Sequence, residues 1–142
     1  MSLTQHAFAA TTLFVNPDGV CGGWNDATRG LFPDSVEVNF NVVQTINAID
    51  VYTLKNTPNN GSVVGDTTPA TTYGIKNFEV QLWTGASWVT VPGGSVTNNT
   101  LAKRRFVFAP TMTDRVRVVV GSSADNTYSR VVEIEAFSCS PL

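Results

Sequence analysis

The chain has 142 residues, a net charge of −2 and only 14% charged residues. That length suits a single domain over residues 1–142, with a core large enough to fold without a metal or disulfide. The slightly acidic balance argues against a nucleic-acid binder, which carries a basic excess, and no run of 18 apolar residues is present to form a membrane span.

From the N-terminus, MSLTQHAFAATTLFV lacks the basic stretch and long apolar core of a secretion signal. The two cysteines, Cys21 and Cys139, are not in a metal-binding spacing. In an oxidising compartment they would staple an early loop to the C-terminal end; otherwise they are two small thiols. A Gly-rich polar loop then carries Trp24 and leads to an alternating strand, with Val36, Val38 and Phe40 on one face and Glu37 and Asn39 on the other. The next strand sets Ile49 and Val51 against Asp50 and Tyr52. Residues 55–74 break the rhythm for twenty residues, a length typical of functional or mobile loops. FEVQLW places Phe78, Val80 and Leu82 inward, and Thr84-Gly85-Ala86-Ser87 turns it into WVTV. Pro92-Gly93-Gly94, Asn98-Asn99, Pro110 and Gly121-Ser122 read as turns between further strands. These strands align Phe106 with Phe108, then Val116, Val118 and Val120, and finally Val132, Ile134 and Ala136 against Glu133 and Glu135. Seven or eight short half-polar strands predict an all-β antiparallel sandwich or barrel.

Catalytic patterns are missing from the sequence. His6 is the single histidine, the acids are scattered apart from Glu133 and Glu135, and there is no nucleophile elbow, P-loop, dinucleotide fingerprint or HExxH. Without a base, nucleophile and oxyanion donors that converge, the reading is that of a non-enzyme. The basic run Lys103-Arg104-Arg105 reads as a solvated strand entry, because three charges are too few for a polyanion site.

The stretches GGWNDATRGLFPDSVEVNF, TINAIDVYT, GIKNFEVQLWTGASWVTVPGG, RVRVVV and YSRVVEIEAF follow one another over residues 22–137. In that order they resemble the discoidin family, also called the coagulation factor V/VIII C-type domain, nearest its bacterial family-32 carbohydrate-binding modules. The resemblance implies a galactose-binding-like jelly-roll sandwich of five strands against three, with ligand-binding loops at one end. It implies an extracellular or cell-surface module that binds a glycan or polysaccharide, alone, as a homo-oligomer or attached to a parent enzyme. It further implies a structural calcium held by Asp18, the Val132 carbonyl and Glu133, although Val20 stands where the family has Asn.

A sugar site needs an aromatic face for the ring's C–H patch, and directional donors and acceptors for its hydroxyls. The resemblance and the loop positions nominate Trp24, Asp26, Arg29, Lys55, Asn56, Tyr73, Tyr128 and Arg130. The family's sugar-binding His has no counterpart here. The competing structural roles are a core cap for Trp24, an ion pair with Glu135 or Asp26 for Arg130, and packing for Tyr128. Trp88 is expected in the core, as the family's hairpin Trp is. The alternative function is a protein-interaction or assembly module of a surface protein, with no sugar pocket.

Overall fold

The computed structural model describes residues 6–9, 14–15, 21–58 and 63–138, and every regular element among them is a strand. They are β1 (His6–Ala9), β2 (Phe14–Val15), β3 (Cys21–Gly22), β4 (Trp24–Asn25), β5 (Asp34–Thr53), β6 (Ile75–Trp83), β7 (Trp88–Val96), β8 (Lys103–Ser123) and β9 (Arg130–Ser138). β2 and β3 pair as a small ribbon, and the rest form one antiparallel sheet in the order β1-β9-β5-β8-β6-β7, with β4 also on β9. The all-β sandwich read from the sequence is therefore present. Its two layers are one sheet folded over, because β5 and β8 run through both.

The fold line is built from register shifts. Pairing of β5 with β8 passes from Asn39↔Arg115 to Gln44↔Thr113, and then from Ile46↔Thr111 to Ala48↔Val107. Extra residues on one strand force such a bend. Asn41 takes the left-handed conformation (φ 61°), and its N–H donates to the Asn39 side chain at 2.8 Å. The second shift contains Pro110, which has no N–H to give a ladder. The sequence pattern reads Pro110 as a break between strands; instead it bends one 21-residue strand. Pro92-Gly93-Gly94 likewise lies inside β7, in the irregularity where Gln81 pairs Thr90 but Glu79 pairs Ser95. Thr113, buried at the corner, fastens it to β6 by donating to the Trp83 carbonyl at 2.9 Å.

The expected inward faces meet between the layers. Val80, Val116, Val118 and Val120 pack with Ile49, Val51, Ile134 and Ala136, and Phe78 meets the Phe106 ring edge-on at 6.3 Å. One predicted phase is corrected. A bulge opposite Tyr52 and Thr53 makes Val132 an extra residue on β9, so Val131 turns inward at 3% exposure and Val132 outward at 39%. Two other readings change. Lys103 and Arg105 are not a solvated strand entry: Arg105 clamps fully buried Asp50 through Nε and Nη2, both at 2.7 Å, and Lys103 reaches the same carboxylate at 3.6 Å. Trp88 lies outside the core cluster, on the outer face, with Trp83 at 5.4 Å and the Arg117 guanidinium over its ring at 4.3 Å. Its register opposite Trp83 dictates this, because Leu82 takes the inward position.

Because β5 folds back on itself, both its ends lie at one pole. The Ser129 hydroxyl donates to Asp34 at 2.6 Å, and the Thr53 hydroxyl donates to the Arg130 carbonyl at 2.7 Å. The loops before β5, between β5 and β6, and before β9 therefore converge there.

Truncating Ile49 to Ala, at 0% exposure, is expected to lower unfolding free energy by about 2–5 kcal/mol. Val107→Ala, at 69% exposure on the outer face, is expected to change it by less than about 0.5 kcal/mol. Urea denaturation of both variants checks the assignment of faces.

Candidate functional site

Three loops build the pole, and each is pinned by its own polar residues. In the first, residues 26–33, Asp26 is buried and its carboxylate is spent locally. It accepts from the Ser129 N–H at 2.6 Å and from the Thr28 N–H at 2.8 Å. Gly30, at φ 72°, donates to the Thr127 carbonyl at 2.7 Å. Trp24 pairs with Val131 through β4 and packs its half-buried indole against the core. The preceding Gly23 passes so close to Val131 and Val132 that a side chain there would overlap their backbone. Arg29 is exposed on the 28–30 turn.

The second loop runs from Leu54 to Gly74, and Asn56 closes its neck. Its amide donates to the Thr71 hydroxyl at 2.9 Å and accepts from the Thr72 N–H at 2.9 Å, while its own N–H reaches the Pro69 carbonyl at 3.0 Å. Lys55 is buried. Farther along, Asp66 takes an ion pair from Lys103 at 3.2 Å. The Asn56 amide thus holds the loop rather than facing outward.

The third loop brings the remaining candidates together. Arg130 opens β9, and its guanidinium lies 5.6 Å from the Tyr73 ring centre and 5.4 Å from that of Tyr128. Nη1 pairs with Asp125 at 2.9 Å and donates to the carbonyls of Tyr73 at 3.2 Å and Tyr128 at 3.5 Å. The expected partners, Glu135 and Asp26, are thus replaced by Asp125. Asp125 is itself fixed, accepting from the Ser123 hydroxyl at 3.0 Å and the Thr127 N–H at 3.1 Å. Burial alone would raise its pKa. The Thr127 and Ser123 hydrogen bonds and the Arg130 charge outweigh that and hold it below the usual carboxylate value. Tyr73 keeps 37% of its surface exposed, so the cluster offers an aromatic surface beside a positioned guanidinium. Of the eight nominated ligand residues, Tyr73, Tyr128 and Arg130 form one unit. Asp26 and Asn56 hold the loops around it. Asp125 was missed; its sequence signal is the Asp-X-Thr spacing of an Asx turn.

The second candidate region is the outer face of β9. Glu133 and Glu135 project to the same side, opposite Tyr52 and Asp50. The Tyr52 hydroxyl donates to Glu135 at 3.1 Å, and burial followed by the Glu135 charge pushes the Tyr52 pKa well up. Burial, then the Glu135 charge, also raises Glu133. An oxygen-only pair of carboxylates that disfavour one another suits a hard cation. Of the expected calcium ligands Val132 and Glu133 are on β9, while Asp18 lies outside the described residues, as do the Cys21 side chain and Cys139. Among the described residues no group of three acids, histidines or cysteines stands ready to hold a metal.

No family model matches the chain, and no curated protein matches it. Solved structures do match in shape. The chitosan-binding module 1 of a chitosanase/glucanase from Paenibacillus sp. IK-5 has a TM-score of 0.59 at 15% identity, with 96% of each chain covered. The family 32 carbohydrate-binding module of C. perfringens NanJ, in complex with galactose, has a TM-score of 0.58 at 14% identity, covering 96% of this chain and 93% of that one. SpGH29 has a TM-score of 0.62 at 15% identity over 99% of this chain, which spans 28% of the length of SpGH29. The chain has the discoidin-like, galactose-binding-like jelly-roll fold that the family 32 carbohydrate-binding modules share.

Proposed function

We propose that this protein is a non-catalytic carbohydrate-binding module that takes a glycan at the pole formed by Tyr73, Tyr128 and Arg130. The observation that carries this reading is the guanidinium of Arg130 lying 5.6 and 5.4 Å from two tyrosine ring centres where three loops converge. It supplies what a sugar needs: an apolar ring surface next to donors fixed in direction. The ligands of two structural neighbours, chitosan and galactose, support the ligand class. An extracellular or surface setting follows from that class, and attachment to a parent enzyme accords with the chain's small share of SpGH29. We assign calcium, as a structural ion, to Glu133, the Val132 carbonyl and Asp18; when bound it would hold the early loop to β9 and neutralise the paired glutamates.

A glycan array on the wild-type protein, followed by titration calorimetry on its best ligand, tests the site. Tyr73→Ala is expected to weaken binding about 3–10-fold, the value of one lost aromatic contact. Arg130→Ala is expected to weaken it by about tenfold or more, the loss of charge-assisted hydrogen bonds. An array without any bound glycan would favour the interaction-module reading. In that case the exposed apolar Val42, Val43 and Met112 on the β5–β8 corner are the surface to examine.

Acid should loosen the site. The folded-state pKa of Asp125 is depressed, so its contribution is present above the ordinary carboxylate value of about 3.9 and is lost as pH falls through the lower folded value. Affinity and melting temperature measured from pH 7 down to about pH 3 should both decline at the acid end, and less steeply in Asp125→Asn.

For calcium, the expected result is a higher melting temperature with millimolar Ca²⁺, reversed by EDTA and reduced in Glu133→Gln. An unchanged melting temperature in Ca²⁺ and in EDTA would remove the ion from the assignment.

A further inference from the structure

We propose that Asp125 sets the charge specificity of this site, directing it to neutral sugars and away from acidic ones. The inference rests on the glycan reading given above and concerns which sugars that site accepts.

The geometry divides the Arg130 guanidinium into two edges. Nη1 is fully used, by Asp125 at 2.9 Å and by the carbonyls of Tyr73 at 3.2 Å and Tyr128 at 3.5 Å. Nε and Nη2 have no hydrogen-bond partner among the described residues, so they are the donors left for a ligand. The three contacts of Nη1 hold the guanidinium in place, with the ring centres of Tyr73 and Tyr128 at 5.6 and 5.4 Å. Arg130 itself is well shielded, its side chain only 17% exposed.

The carboxylate is as firmly held as the guanidinium. Ser123 is fully buried, and its hydroxyl and the Thr127 N–H hold Asp125 Oδ1, leaving Oδ2 for Arg130. Asp125 cannot swing aside when a ligand arrives. A sugar hydroxyl accepting from Nε or Nη2 responds mainly to the local N–H dipole. A sugar carboxylate responds to net charge, and at this site it meets a pair that sums to zero with a fixed negative group close behind the positive one. The attraction that an isolated arginine would give a uronic acid is therefore largely cancelled, while hydrogen bonding to neutral hydroxyls is kept.

The test uses matched probes that share a ring and differ at C6: oligosaccharides of galactose and galacturonate, glucose and glucuronate, mannose and mannuronate. Wild type is expected to bind the neutral member of a pair better. Asp125→Asn, which keeps the shape and removes the charge, is expected to move the acidic-to-neutral affinity ratio by about tenfold toward the acidic member. The gain should shrink between 0.1 and 1 M salt, as the Debye length falls from about 10 to 3 Å. An unmoved ratio in a variant that melts like wild type overturns the proposal and leaves the glycan reading standing. A wild type that binds no probe and no array glycan overturns both. If Asp125→Asn does not fold, Asp125→Ala is read in its place, and loss of fold in both variants assigns Asp125 to stability and overturns the proposal.

Discussion

Two strands belong to both layers of this molecule, and the rest of the architecture depends on how they bend. β5 and β8 pair with each other along most of their length, and the pairing slips twice near the middle. Each slip inserts residues that cannot join the ladder, and a sheet relieves that mismatch by turning. Because both partners turn together, the hydrogen-bonded pair stays intact while the sheet folds over a core of Val, Ile and Phe side chains. A single cause thus yields the two-layer body, the buried interior and the return of each strand to the pole where it began.

That return creates the pole. Loops that are distant in sequence are brought side by side, and short polar contacts fix them. Asp26 joins the first loop to residue 129, Thr53 joins the end of β5 to Arg130 and Ile75, and Asn56 closes the long loop. Most carboxylates and amides at this end are occupied by such work. Arg29 stays exposed on the first loop, and Tyr73, Tyr128 and Arg130 gather as one cluster with Tyr73 partly exposed. A recognition surface of this kind depends on positioning, because the residues that would contact a ligand are held by residues that would not.

The outer faces show the same economy with charge. Fully buried Asp50 is matched by Arg105 and Lys103, and Arg117 covers Trp88 while its Nε donates to the Gln81 side-chain Oε1 at 2.7 Å. Not every glutamate there has a cation: Glu79 takes its hydrogen bonds from Gln81 and Thr90, and Glu133 and Glu135 form a pair of their own. They share one side of β9 without a basic partner among the described residues, apart from the Tyr52 hydroxyl on Glu135.

The sequence by itself determined the strands and their inward faces, because alternation of period two is a local property: Val116, Val118 and Val120 could only be an inner face once RVRVVV was a strand. It also determined the antiparallel sandwich, and placed Tyr73, Tyr128 and Arg130 among the ligand candidates. Tertiary structure decided what depends on a partner. The phase of β9 hinged on a bulge opposite Tyr52, so Val132 turned outward; Trp88 followed Trp83 to the outer surface; Pro110 and Pro92 bent strands instead of ending them. It also decided which polar residues at the pole hold and which face out. Asp26 and Asn56 looked like sugar ligands in the sequence and became fastenings, and Asp125 looked like one more scattered acid and became the partner of Arg130. The reason is that a polar side chain's role is set by what lies within about 3 Å of it in space, and at this pole those neighbours come from segments up to 103 positions away along the chain.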